Sequence, residues 1–184
     1  MRIIDLQLDN QLAVQQVAAM LVAGFKDHWP DAWPELDDAL EEVAAMAQPD
    51  RISRIAVDDI GTVLGWIGGI SGYDGNVWEL HPLVVRCDLQ GQGLGRALVM
   101  DLEAQVQGRG GLTLQLGTDD EDGMTTLSGI DLYPNVAEKI MNIRNLRRHP
   151  FEFYQKLGFV IVGVVPDANG FGKPDILMAK RVGR

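Results

Sequence analysis

The sequence predicts an α+β fold, with a mostly antiparallel mixed sheet splayed at a bulge and flanked by helices. Three observations carry that prediction. Apolar periodicity gives helices first, then a meander of strands, then strand–helix–strand, an order that fits a mixed sheet better than a doubly wound one. The run W-E-L-H-P-L-V-V-R-C-D-L-Q-G-Q-G-L-G-R-A-L, from Trp78 to Leu98, begins as a strand and ends as a helix opened by glycines. Inside that strand stands Pro82, which has no N–H for a sheet ladder, so pairing must break near His81-Pro82 at an edge or a bulge.

Each element follows from local pattern. Residues 2–8 read as a first strand. Leu12, Val14, Val17, Met20, Leu21 and Phe25 recur at helical spacing and predict a helix over 11–25. The prolines of H-W-P-D-A-W-P-E force extended turns, and a second helix is expected from Pro34 to about Met46 with a solvated acidic face. Residues 51–57 and 62–70 form a strand pair turned around Asp59-Ile60-Gly61. A helix over 93–107 stops at Gly110-Gly111 and leads to a strand over 112–117. Later come a helix over 135–145, another from His149-Pro150 to Gly158, a buried-type strand over 160–165, and a last strand over 176–179. No repeat or boundary interrupts the chain, so 1–184 reads as one domain.

Composition narrows the function. The 184 residues are 46% hydrophobic and 23% charged, which suits a globular domain, and no apolar run approaches the roughly 20 residues of a membrane span. The start, M-R-I-I-D-L-Q-L-D, lacks a signal-peptide pattern, and the one cysteine, Cys87, excludes an internal disulfide and fits a reducing cytoplasm. A net charge of -10 argues against nucleic acid and anionic membrane as partners and favours a cationic ligand. No metal-ligand spacing appears: the acids at Asp119, Asp120, Glu121 and Asp122 lack the glycine and distal glutamate of a calcium loop.

The glycine loop is an anion site in form. Gly91, Gly93 and Gly95 leave backbone N–H groups unshielded, and the following helix adds its unpaired donors and positive dipole end. Gln90-Gly91-Gln92-Gly93-Leu94-Gly95, followed by Arg96, fits [Q/R]-x-x-G-x-[G/A], whereas a P-loop would need G-K-[S/T] and the Rossmann spacing is absent. The segment resembles the pyrophosphate motif of the GNAT acetyltransferases. Three longer blocks, Trp78–Val85, Leu116–Tyr133 and His149–Lys180, resemble the aminoglycoside 6'-N-acetyltransferases of the chromosomal, enterococcal-like type.

That resemblance implies a GNAT fold and acetyl-coenzyme A as cosubstrate. It places the cofactor on Leu83, Val84 and Val85, whose backbone would pair with the pantetheine arm, and on residues 90–96, with Arg86 and Arg96 supplying positive potential. It implies a homodimer, and Tyr154 as proton donor to the departing thiolate. The residues themselves supply the rest of the chemistry. An aliphatic amine is mostly protonated at neutral pH and must lose a proton before attack. Glu79 and His81 alternate along the strand and share a face; Glu79 is the expected base and anchor, His81 the runner-up, and the Leu83 N–H the carbonyl polariser. Trp29, Asp31, Trp33, Glu79, Asp119, Asp120 and Asp122 are the expected contacts for a small cationic amine, an aminoglycoside under the resemblance. Polyamine or basic-peptide acetylation and a non-catalytic acyl-coenzyme A module are the alternatives.

Overall fold

The computed structural model describes residues 1–183, which form two compact units: 1–114 with 182–183, and 115–181. In the first unit β1 (Arg2–Asp5), β2 (Arg51–Val57), β3 (Val63–Gly72) and β4 (Val77–Val85) lie in chain order, every pairing antiparallel. The β2–β3 turn forms as expected: the Asp58 carboxylate accepts the N–H groups of Ile60 (3.0 Å) and Thr62 (2.8 Å), and Gly61 takes φ +89°.

Helices α1 (Gln11–Phe25) and α2 (Leu36–Ala45) bury their apolar stripes in one core, where Val17, Leu21, Ala39 and Val43 meet Ile55, Trp66 and Val84. Full burial of a side chain such as Leu21 contributes about 1.5–3 kcal/mol. Asn10 caps α1 by accepting the Ala13 N–H. The second helix starts two residues after the predicted Pro34, because Glu35 takes an extended conformation and forms a capping box with Asp38.

Helix α3 (Leu94–Gly108) packs against glycines of β3. A Cβ on Gly65 would stand 3.0 Å from Leu98, and one on Gly69 2.8 Å from Leu102, so small residues set the close approach of helix and strand. Arg54 of β2 fastens the helix through two hydrogen bonds to Asp101, at 2.7 and 3.1 Å. The start of α3 is thereby fixed relative to the four strands.

The strand β5 (Thr113–Asp119) runs from the first unit into the second, where the order is β5-β7-β6, with β6 (Val160–Val165) and β7 (Asp175–Arg181) antiparallel. Two sequence expectations change here. The apolar run of β6 reads as buried, yet Val160 and Val162 are each 61% exposed, because β6 is an edge strand paired only on its β7 side. The predicted 135–145 helix shrinks to α4 (Val136–Met141): Asn135 sits in the left-handed region at its start, and the chain past Asn142 leaves the helix for a bridge between Asn145 and Thr125. The other helix, α5 (Phe151–Gln155), follows Pro150 and buries Phe151 and Tyr154.

Candidate active site

Strand β4 breaks where Pro82 requires it. Ile67 pairs with Leu83 and Gly69 with Leu80, so His81 and Pro82 together oppose the single residue Gly68, and the His81–Pro82 bond is cis. Only glycine fits opposite this bulge: a Cβ on Gly68 would lie 2.2 Å from the His81 carbonyl oxygen. Glu79, paired with Ile70, and His81 are both half-buried, alternating with buried Trp78, Leu80 and Pro82. Leu83 follows directly after the bulge; Val84 and Val85 pair with Trp66 and Gly65.

Beyond β4 the chain makes a single 3₁₀ turn, Cys87–Leu89, and enters the glycine loop. Gly91 and Gly93 take φ +74° and +89°, values that strain any side chain, and a Cβ at either would meet nothing within 4 Å. Gly93 is the N-cap of α3, and no side chain caps the helix, so its first N–H donors have no side-chain partner. Gln90, Gln92 and Arg96 are exposed, with Leu94 and Gly95 half-buried. Arg86 does not supply the expected free charge. Its guanidinium grips Asp88 at 2.7 and 2.9 Å, each partner favouring the other's ionised form.

A groove of about 530 Å³ opens along α2 and the turn before it. Asp31 and Trp33, two of the expected contacts for a cationic amine, line it together with Asp38, Glu41 and Glu42. Those three acids were assigned to a solvated face; positions 38, 41, 42 and 45 form one helical stripe, and that stripe borders the groove. Trp33 is set by Phe25, edge to face at 4.7 Å. Trp29 also stacks on Phe25, at 5.6 Å, and does not line the groove.

The sequence reading placed Glu42 on a solvated helix face and not in the site. Its Oε1 stands 3.5 Å from His81 Nε2, and the Trp33 ring is 6.0 Å from that imidazole. Hydrogen bonding from His81 holds the Glu42 carboxyl below its ordinary range, against the opposing effect of burial, with smaller help from Arg51 and Trp33. The signal that could have found it is the i, i+3, i+4 spacing of Asp38, Glu41 and Glu42 just after W-P-E.

In the second unit, the acids expected to contact substrate divide. Asp120 is fully buried, and its two carboxylate oxygens accept the N–H groups of Met124 and Thr125, both at 2.7 Å; it shapes the loop instead of facing a ligand. The Asp119 side chain accepts from Asn169, while its carbonyl accepts from His149 Nε2 at 3.0 Å. Asp122 is exposed. Tyr154 is buried between Phe153 and Phe159, ring centroids 5.0 and 5.6 Å away, and burial pushes its phenol well above the ordinary value, so it carries its proton throughout the physiological range.

Among the described residues no group of three or more His, Cys, Asp or Glu is placed to hold a metal, and no helix is long and apolar enough to cross a membrane. The bulged fourth strand, a loop of neutral backbone donors and a carboxylate-lined groove define a transferase-type site, one part suited to an anionic donor and the other to a cationic acceptor. The chain belongs to the GNAT acetyltransferase family: the family model described as "Acetyltransferase (GNAT) family" matches residues 15–125. Among solved structures it is similar to an aminoglycoside 6'-N-acetyltransferase complexed with coenzyme A, at 44% identity, covering 99% of this chain and 97% of that one with a TM-score of 0.90. The aminoglycoside 6'-N-acetyltransferase from Enterococcus faecium shares the same identity and coverage, with a TM-score of 0.88. An aminoglycoside 6'-acetyltransferase type Ii is 37% identical over the same shares, with a TM-score of 0.74. No curated protein sequence matches the chain.

Proposed function

We propose that the protein transfers an acetyl group from acetyl-coenzyme A to a primary amine of a cationic acceptor, the 6'-amine of aminoglycosides, by direct transfer in a ternary complex. The groove carries this reading: Asp31, Asp38 and Glu41 beside Trp33 offer three carboxylates and an aromatic face to a polyammonium ligand, while Glu42 faces His81. The similarity to three aminoglycoside acetyltransferases supports the choice of acceptor. For the donor, residues 90–96 offer unshielded backbone N–H groups to the pyrophosphate, and Leu83, Val84 and Val85 offer backbone to the pantetheine arm.

In the reaction an ammonium and a thioester become an amide, a thiol and a released proton. Glu79, whose carboxylate forms no ion pair or hydrogen bond among the described residues, accepts the first ammonium proton, with His81 as the second acceptor. The Leu83 N–H polarises the thioester carbonyl, a role worth about 3 kcal/mol. The amine then attacks, the C–S bond breaks, and Tyr154 passes its proton to the thiolate and regains one of the two taken from the amine, so that burial never has to hold a lasting phenolate and one proton is released overall. Trp29, Asp119 and Asp122 are proposed as further contacts for the acceptor.

The chain is further read as one catalytic domain, which the family match supports by crossing residue 114. It is read as a homodimer of the cytoplasm that confers aminoglycoside resistance; the exposed apolar edge of β6 supports self-association, and light scattering measures it. The deciding experiment is a thiol-release assay with acetyl-coenzyme A over aminoglycosides, polyamines and basic peptides, with NMR of the product to locate the acetyl group. Acetylation at the 6'-amine is expected. Turnover confined to polyamines or peptides would overturn the acceptor, and no turnover on any amine would overturn the reading.

A further inference from the structure

His81 stands on a strand distorted by Pro82, where a mobile ring would waste its chemistry, yet two side chains converge on that ring and a third segment pins its backbone. Its main chain is pinned by Gly68, because the His81 carbonyl oxygen occupies the space that a Cβ would fill. Trp33, from the turn before α2, lies 6.0 Å from the imidazole, and Glu42, from α2 itself, places Oε1 3.5 Å from Nε2. The two side chains are sheltered without being sealed, at 40% exposure for His81 and 23% for Glu42.

We propose that Glu42 is a positioning residue for His81: its carboxylate accepts the Nε2–H, which fixes the tautomer with the lone pair on Nδ1 and compensates the imidazolium formed when Nδ1 takes a proton. The proposal rests on the acetyl-transfer reading, in which His81 receives a proton from the substrate ammonium. The balance is simple: the N–H bond of the ammonium breaks, an Nδ1–H bond forms, and the positive charge moves from substrate to imidazole beside an existing negative charge. Without Glu42 the ring has two tautomers to choose from, and its cation loses its counter-ion. Arg51 also faces Glu42, and Asp38 and Glu41 share its stripe, so a pH profile reads the whole group, while the tautomer reads the pair alone.

Two variants separate positioning from simple acceptor binding. Glu42→Gln keeps an oxygen acceptor and the side-chain volume but removes the charge; Glu42→Ala removes both. Ring nitrogen NMR of wild-type protein, without substrate, is expected to show His81 protonated on Nε2. Glu42→Ala should shift it to a tautomer mixture, and Glu42→Gln should retain it. In the thiol-release assay the kcat of Glu42→Ala is expected to fall about tenfold or more, a share of what a positioned base supplies, with the acceptor KM changed far less and Glu42→Gln in between. Circular dichroism checks that both variants fold; if the alanine variant does not, the glutamine variant's kcat carries the test. Unchanged ring signals in Glu42→Ala, or an effect confined to KM, would overturn the proposal. Because the NMR needs no substrate, it decides the pairing by itself, whereas a wild-type chain inactive on every amine would remove the acetyl-transfer reading and with it the kinetic role.

Discussion

Replacing Gly68 by alanine tests whether the bulge in β4 is locked. The added Cβ would stand 2.2 Å from the His81 carbonyl oxygen, 2.4 Å from Met46 Cε and 3.1 Å from the His81 carbonyl carbon. Carbon and carbonyl oxygen normally meet at about 3.3 Å or more, so the methyl arrives about 1 Å too close. The Met46 methyl can swing aside. The His81 carbonyl cannot, because Leu80 and Leu83 on either side are held in register with Gly69 and Ile67. Overpacking costs about 1–3 kcal/mol when side chains adjust, and a clash with backbone belongs at the top of that range, near 3 kcal/mol. For a chain of this size that is a fall in Tm of roughly 6–12 °C. Thermal and urea unfolding measure the loss, and the acetyl-transfer assay should show kcat falling with it, since the displaced segment carries His81. Gly91→Ala is the contrast. It meets nothing within 4 Å, so its cost is the backbone strain at φ +74°, about 1–2 kcal/mol, and its kinetic effect should lie in the KM for the thioester. A Gly68→Ala protein within about 0.5 kcal/mol of wild type, the level of an ordinary surface change, would refute the locked bulge.

Three further outcomes follow from the geometry. Burial holds His149 below its ordinary pKa of 6.5, against the pull of Asp119 and Asp120; the unfolded chain therefore binds the extra proton first, and stability, complete above about pH 6.5, declines as pH falls through the folded value, by at most about 1.4 kcal/mol per unit. Tm measured from pH 7.5 to 5 should show this decline, and His149→Gln should flatten that part of it. Asp120→Asn replaces one of two charged acceptors with an amide N–H facing a backbone N–H, and urea unfolding should register a loss of about 3 kcal/mol; an unchanged midpoint would show the loop does not depend on that carboxylate. Raising salt from 0.05 to about 0.5 M should raise the KM of a polyammonium acceptor strongly and the KM of the donor little, because the groove uses charges and the glycine loop uses neutral N–H groups; a salt-insensitive acceptor KM would remove the electrostatic account of the groove.

Much of the fold was legible because its determinants are local. A proline inside an apolar strand dictates a break wherever it occurs, and the β2–β3 turn needs only Asp58 and Gly61 to close. A glycine loop feeding a periodic apolar segment likewise announces α3. The exposure of β6 was not legible, since an apolar run looks the same on an edge as in the middle of a sheet. Position in the order β5-β7-β6 depends on pairing with β7, which is still to come in the chain. The short α4 hides for a related reason: Val136, Ile140 and Ile143 keep helical spacing, but the bridge from Asn145 to Thr125 draws the chain out of the helix.

The site shows the same division between near and distant partners. Glu79 and His81 could be placed together by strand parity. Glu42 is 39 residues from His81 and belongs to a helix whose other acids invite a surface reading, so only folding brings the pair together. In the run from Asp119 to Asp122 the sequence distinguishes none of the acids, yet Asp120 is spent on two backbone amides. Arg86 and Asp88 show that charge near a loop is not charge available to it. With Arg86 paired to Asp88, the proposed donor end has Arg96 and backbone dipoles to offer, while the groove proposed for the acceptor gathers carboxylates between residues 31 and 42. In the proposed reaction a protein of net charge -10 can in this way serve ligands of opposite sign: fixed dipoles attract an anion with Arg96 as one added cation, and the groove's carboxylates are left to meet ammonium groups.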